Sequence, residues 1–437
     1  MIQKIYFRLI FYLFFWQLYL FFISNNSPLG SEWLPWHYQR LYNFSEYLKL
    51  NGYFLNYGFS IWSSCDDCSL SSEYWTDKIY LSSSFISQLP SVIINHFFGS
   101  ETLKQYGHLS DKAIIFFSGI LISELFIKLS GENKKMPTYF QAFLCFIFFS
   151  INPWTYKMIL AHWAIVFFLF FYLMGILMLL NNNYNLGLIF FFIAGLFSVQ
   201  SSAGIAFFFI LLLFLFFLKQ QKFNYDKYFL NINNLVLNYK IIFSLLAPVL
   251  IYFTLRQIAV SEYQIVGGSS FLGRVGISGN DIHNGSLLGA LQFMGGNRIT
   301  QCLVNFNMNI DIKNLSNSIE IYNCILSTLS MYLVSLLSII GLFYLNINYK
   351  SFTKLIIFPI LFLFLSYTFI LQQSSSAHLM GYSYLFSVLF SVGITSMIFS
   401  ILKKYNYSIV SITLSVPIII GLMILCIRVS MLTGLNG

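Results

Sequence analysis

Charge is scarce in this sequence: 9% of its residues are Asp, Glu, Lys or Arg, against 57% hydrophobic and 20% aromatic. A soluble domain carries about 25% charged residues, so the shortage excludes a chain built to face water on all sides. Acids are scarcer than bases, 15 against 24, and the long apolar segments exclude them almost entirely. Other signatures are missing too. There is no P-loop and no dinucleotide fingerprint. No small-residue cleavage site follows the first apolar stretch around residues 24–28, so that stretch reads as an uncleaved helix and not as a signal peptide. No convincing internal repeat is visible, which counts against an inverted-repeat transporter. The basic residues are dispersed among short loops, so a net charge of +9 reflects membrane topology and anionic headgroups, and nucleic acid is excluded as a partner.

What is present is apolar length. A helix needs about 20 mostly apolar residues to cross roughly 30 Å of hydrocarbon with every backbone hydrogen bond made internally. Such runs recur from end to end and predict spans over residues 5–23, 111–129, 138–154, 158–180, 186–200, 203–218, 241–260, 322–345, 355–372, 380–402 and 408–427, about eleven crossings. The expected fold class is an all-α polytopic membrane protein, a single membrane domain over 1–437. Poly-Phe runs such as Phe207, Phe208 and Phe209 read as lipid-facing filler in a chain of biased coding composition. Lys4, Arg8, Lys134, Lys135, Lys219, Lys222, Lys227, Lys350, Lys354, Lys403 and Lys404 share one side, which the positive-inside rule makes cytoplasmic. The N-terminus then lies in the cytoplasm, and two large loops, 24–110 and 261–321, lie outside. The expected setting is a bacterial inner (plasma) membrane.

These two loops hold most of the titratable groups. Glu32, Glu46, Asp66, Asp67, Glu73, Asp77 and Glu101 fall in the first, and Glu262, Asp281, Asp311 and Glu320 in the second. His37, His96, His108, His162, His283 and His378 all face the same outer compartment in this topology. The segment 79–98, IYLSSSFISQLPSVIINHFF, is too polar and too kinked for a span and suits a helix pair lying in the membrane interface.

Several segments occur in a telling order. After the first helix comes SPLGSEWLPWHYQRLYNFSEYL, then IYLSSSFISQLPSVIINHFFGSETLKQYGHLSDKAIIFFSGILISELF. FQAFLCFIFFSINPWTYKMILAHWAIVFFLFFYLMGILML comes next, with Asn152, Pro153 and Trp154 at a short outer turn. LGLIFFFIAGLFSVQSSAGIAFFFILLLFLFF and SSSAHLMGYSYLFSVLFSVGI complete the series. The order resembles the C-type glycosyltransferases, membrane enzymes that include protein mannosyltransferases, oligosaccharyltransferases and lipid A aminoarabinose transferases. The resemblance covers most of the chain and rests on the order of spans and loops; the family's usual His-Pro pair is absent. It implies an inverting transferase that takes a sugar from a polyprenyl-phosphate donor to a lipid, glycan or protein acceptor on the outer face. Glu32 occupies the place of the family's acid just beyond the first helix. His378 stands where the family has an arginine that holds the lipid phosphate, and Arg274 or Arg298 is the substitute.

Such chemistry needs a carboxylate to take the acceptor's proton and cations or a metal to stabilise the departing phosphate. Glu32, a few residues past the hydrocarbon edge, suits the base; its alternative is a surface acid paired with a basic side chain. Asp66 and Asp67 lie between Cys65 and Cys68, which reads better as the tip of a disulfide-closed turn than as a zinc site, because a second ligand pair is missing. Glu73 and Asp77, four apart, read first as a solvated acidic turn and second as a base or metal ligand. His162 is either a cavity wall or an interfacial anchor. Lys157, in the outer turn, contacts either the donor's phosphate or an ordinary headgroup. Gly267, Gly268 and Gly273 before Arg274, and Gly295 and Gly296 before Arg298, supply amides and a guanidinium for phosphate, or are plain loop glycines.

Glu124, the acid well inside a span, is expected to pair with Lys128. Cys145 and Cys426 read as packing residues, and Cys302 and Cys324 as a further potential pair. A divalent metal ion is the cofactor this chemistry admits. The alternatives are an O-antigen-type polysaccharide polymerase or ligase, and a non-enzymatic transporter of lipid or solute.

Overall fold

The computed structural model describes residues 2–26, 38, 41–42, 45, 59–61, 79–81, 85–130, 138–160, 164–219, 235–263, 315–348, 352–365, 383–404 and 409–433. In chain order these form α1 (Ile2–Asn26), β1 (Phe59–Ile61), β2 (Ile79–Leu81), α2 (Phe85–Phe98), α3 (Ser100–Tyr106), α4 (Leu109–Ser130), α5 (Thr138–Ile151), α6 (Pro153–Ile159) and α7 (Ala164–Leu180). They continue with α8 (Tyr184–Phe197), α9 (Val199–Lys219), α10 (Leu235–Tyr263), α11 (Leu315–Asn348), a π-helical turn (Thr353–Ile357), α12 (Phe358–Leu365), α13 (Ser383–Lys404) and α14 (Ile409–Thr433).

The architecture is helical, as expected from the apolar runs. One exception to an all-α chain is the antiparallel pairing of β1 with β2, Ser60 opposite Tyr80. Two helical stretches are long and apolar enough to cross a membrane among the described residues, Tyr6–Asn25 and Leu385–Leu402. The bent pair Phe140–Ile151 and Pro153–Ile159 makes a third if it counts as one span. Three expected boundaries are corrected. The span placed at 138–154 ends at Ile151, where the chain bends by 62° into α6. The next helix starts at Ala164 and not at 158, because Met158 belongs to α6. Glu320, assigned to the second outer loop, falls inside α11.

The described residues divide into two compact units. The first contains α1, α4 from Phe116 onward, α5, α6 and α11 to α14. In α1, Tyr12, Trp16, Tyr19 and Ile23 are buried while Phe7, Ile10, Phe14 and Phe21 are exposed. The buried positions recur every three or four residues, one stripe of a helix. Phe11 of that helix stacks on Phe143 of α5 at 3.9 Å. The exposed aromatic face would be an aggregation surface in water and suits lipid. In contrast, Leu385–Leu402 in α13 is largely buried within its unit, packed against α5 and α11. Gly341 of α11 meets Gly393 of α13, where a Cβ on Gly393 would stand 2.5 Å from the Gly341 Cα. Two glycines let the backbones touch, the small-residue packing that joins helices where apolar association supplies little drive.

Glu124, expected to pair locally with Lys128, makes a long-range ion pair with Arg8. Its carboxylate accepts from Arg8 Nε at 2.8 Å and Arg8 Nη2 at 2.7 Å, and from the Tyr12 hydroxyl at 3.1 Å. A planar guanidinium matches both carboxylate oxygens at once, which the flexible ammonium of Lys128 does not.

In the second unit α8 packs against α7 and α10. Gly187 receives Leu179, and Gly195 receives Pro248. Pro248 has no N–H to give its own helix. The Ser202 hydroxyl donates at 2.6 Å to the Leu245 carbonyl one turn earlier. The segment 79–98, expected as an interfacial helix pair, folds instead as β2 followed by the single helix α2, and α3 lies beyond it. Leu41 and Leu103 are fully buried together, with Tyr38, Tyr42 and Ile94 against them, and Asn95 Nδ2 donates to Ser45 Oγ at 2.7 Å.

Candidate functional site

The bend between α5 and α6 is built by Asn152 and Pro153. Proline at the first helical position suits its fixed φ but offers no donor to the turn before it. The Asn152 side chain makes up the deficit: its Nδ2 donates to the Phe148 and Phe149 carbonyls at 2.9 and 2.7 Å. Its Oδ1 accepts from Thr155 N at 3.0 Å, capping α6, and from Ser387 Oγ of α13 at 3.0 Å. Thr155 Oγ1 donates to the Phe149 carbonyl. All of these residues are buried, so the bend is a closed polar knot in which each buried group finds partners, as a low-dielectric setting demands.

That knot fixes the course of α6. Trp154 is fully buried, its ring 5.1 Å from that of Phe386. Lys157, one turn along, is half-buried and holds its ammonium 5.5 Å from the centre of the Trp154 ring. The ring's negative face steadies the cation in one place. Lys157 is thereby a positioned positive charge beside the helix break, suited to a phosphate or carboxylate oxygen.

The structure describes Lys157 alone among the nominated site residues. Glu32, His162, Arg274, Arg298 and His378 lie outside the described residues, as do Asp66, Asp67, Glu73 and Asp77. Cys65, Cys68 and Cys302 also lie outside them. Cys145 and Cys426 are buried free thiols, in keeping with a packing role. No group of three or more His, Cys, Asp or Glu side chains is placed to hold a metal ion among the described residues.

Sequence reasoning passed over a polar face at the start of α4. His108, Asp111 and Lys112 are 8%, 1% and 4% exposed. Burial, and then the nearby Lys112 charge, pushes the His108 imidazole down to about 4. The signal was in the spacing: His-x-x-Asp-Lys puts all three on one helical face. The flanking helices turn a different surface outward, with Ile93, Phe97 and Phe98 of α2 and Tyr106 of α3 exposed beside exposed Glu101 and Lys104.

No protein-family model and no curated protein matches the chain.

Proposed function

We propose that the chain is a C-type membrane glycosyltransferase that moves a sugar from a polyprenyl-phosphate donor to a lipid, glycan or protein acceptor on the extracytoplasmic face. In this reading it crosses the membrane about eleven times with its N-terminus in the cytoplasm. The observation that carries the reading is the succession of helices. α1, with its exposed aromatic face, is followed by the α2–α3 pair with an exposed aromatic edge, then by apolar α4 and the α5–α6 bend. That is the order in which the resemblance places anchor, interfacial helices, second span and outer turn.

Glu32 is the general base in this proposal. In the same proposal the departing phosphate is assigned to Lys157 and to His378, with Arg274 or Arg298 as its substitute, and His162 is assigned to the wall of the donor groove. Lys157 brings a definite physical basis, since its ammonium is held against Trp154 beside the helix break.

The decisive experiment is sugar transfer in proteoliposomes with Glu32→Gln. A positioned base contributes about 10²- to 10⁴-fold, so transfer is expected to fall by that order while donor binding persists. Undiminished transfer removes Glu32 from the role. The 62° break at Asn152 supports one second reading, because broken helices also line transport sites. Flux of a labelled lipid or solute with no change in any glycan would select the transporter.

A further inference from the structure

We infer that Phe386 and Ser387, adjacent residues near the start of α13, are positioning residues for Lys157. The inference rests on the proposed function, in which Lys157 meets the donor's phosphate, and names the side chains that set where its ammonium stands.

α6 cannot set its own course. It has seven residues, and a helix that short is marginal when isolated. The 62° break at its start also turns it off the axis of α5. Its placement comes from its neighbours, and it packs against α13 and α14. Phe386 and Ser387 are 4% and 0% exposed, and both reach the start of α6. The Phe386 ring lies 5.1 Å from that of Trp154. The Ser387 hydroxyl donates to Asn152 Oδ1 at 3.0 Å and lies 3.0 Å from Thr155 Oγ1. Neighbouring side chains on a helix diverge by about 100°, so the pair holds α6 at two separate points, one apolar and one polar. Two points fix a rotation as well as a location, and rotation decides where the Trp154 ring faces.

Ser387 differs from other hydroxyls of α13 in where it bonds. Ser391, Thr395, Ser396 and Ser400 donate to carbonyls of α13 itself, those of Val388, Ser391, Gly393 and Ser396. A buried hydroxyl needs a partner, and its own helix supplies one without help from any other element. Ser387 instead donates across the interface to the residue that caps α6. Phe386 is braced as well, because the Phe364 ring of α12 meets it edge-on at 5.7 Å. The Trp154 ring therefore rests against a fixed neighbour, and the Lys157 ammonium stands 5.5 Å from its centre. Loosening either contact lets the indole turn and removes the face that draws the cation.

The test reads Lys157 directly. The full chain in nanodiscs is treated with an isotope-labelled acetylating reagent, and mass spectrometry follows the rate at which Lys157 is modified. Only the free amine reacts, whereas the ring attracts the ammonium, so release from Trp154 is expected to speed acetylation about two- to fivefold. Phe386→Leu and Ser387→Ala should each give that acceleration, as should Trp154→Leu. Ser387→Thr, which keeps the hydroxyl, should stay near the wild-type rate. Phe390, one turn along α13 and fully buried, packs on Phe148 of α5 at 5.9 Å. Phe390→Leu therefore removes similar packing and should leave the Lys157 rate unchanged. If Phe386→Leu does not fold, Ser387→Ala, which deletes a single oxygen, carries the comparison.

An unchanged Lys157 rate in either folded variant, or the same acceleration in Phe390→Leu, would overturn the inference. Where sugar transfer is detected, Ser387→Ala should raise the donor KM in the wild-type background and have no further effect beside Lys157→Met. An equal effect in both backgrounds would also overturn it. Acceleration in a chain that transfers no sugar would leave the positioning role standing while the enzymatic reading falls.

Discussion

Arg8 and Glu124 lie 116 positions apart and form a two-pronged ion pair, Nε to Oε1 at 2.8 Å and Nη2 to Oε2 at 2.7 Å. The pair ties α1 to α4 inside the first unit, with the Tyr12 hydroxyl as a third donor to the same carboxylate. Both side chains are largely shielded, at 13% and 29% exposure, so removing one strands the other in a poor environment for charge. Arg8→Met and Glu124→Gln should each lower stability by about 1–3 kcal/mol. Arg8→Met combined with Glu124→Gln should cost less than the sum, because no lone charge remains. Thermal unfolding in detergent, arranged as a double-mutant cycle, measures the coupling; strictly additive losses would show that the pair contributes nothing of its own.

The crossing of α11 and α13 depends on a missing side chain at two positions. A Cβ on Gly341 would stand 2.7 Å from the Gly393 Cα, and one on Gly393 2.5 Å from the Gly341 Cα. These are backbone atoms that cannot swing aside, so Gly393→Val should force the helices apart and destabilise the unit by about 1–3 kcal/mol or more. Gly421 in α14 is the contrasting case, since a Cβ there meets nothing within 4 Å. Gly421→Ala should be neutral or gain up to about 1 kcal/mol from helix propensity. Unfolding temperatures of the two variants side by side decide the matter.

Most of the helical pattern was legible because apolar length is a local property. The stretch expected at 111–129 became α4, Leu109–Ser130, and that expected at 203–218 became α9, Val199–Lys219. The break at Asn152 was legible as Asn-Pro-Trp at a turn, but the separate short helix α6 that follows was not, because hydropathy counts Met158 and Ile159 into the next apolar run. The partner of Glu124 was illegible for the opposite reason. The i, i+4 rule nominates Lys128 from the same helix, while Arg8 comes close only after α1 and α4 have packed. Of the candidate site, the sequence singled out Lys157 and could not show why its ammonium is fixed, because the ring beneath it matters only once α6 forms. The His108, Asp111 and Lys112 face was readable as spacing, but its significance lies in burial, which spacing alone does not give.

His108 makes a definite prediction about acidity. Burial first, and the Lys112 charge second, hold its folded value at about 4, whereas an unfolded histidine titrates near 6.5. The folded protein therefore binds this proton less readily than the unfolded chain does. Stability from this group is fully present above about pH 6.5 and is lost as pH falls from there toward 4, at up to about 1.4 kcal/mol per unit. Below about 4 both states are protonated and the contribution stops changing. His108→Gln should be less sensitive to acid over that window, because glutamine has no proton to gain. The carboxylates titrate in both proteins, so the difference between the two melting curves isolates the histidine. Wild type and His108→Gln are expected to diverge progressively as pH is lowered from 6.5 to 4; parallel curves across that range would mean that His108 gains its proton as easily in the folded chain as in water.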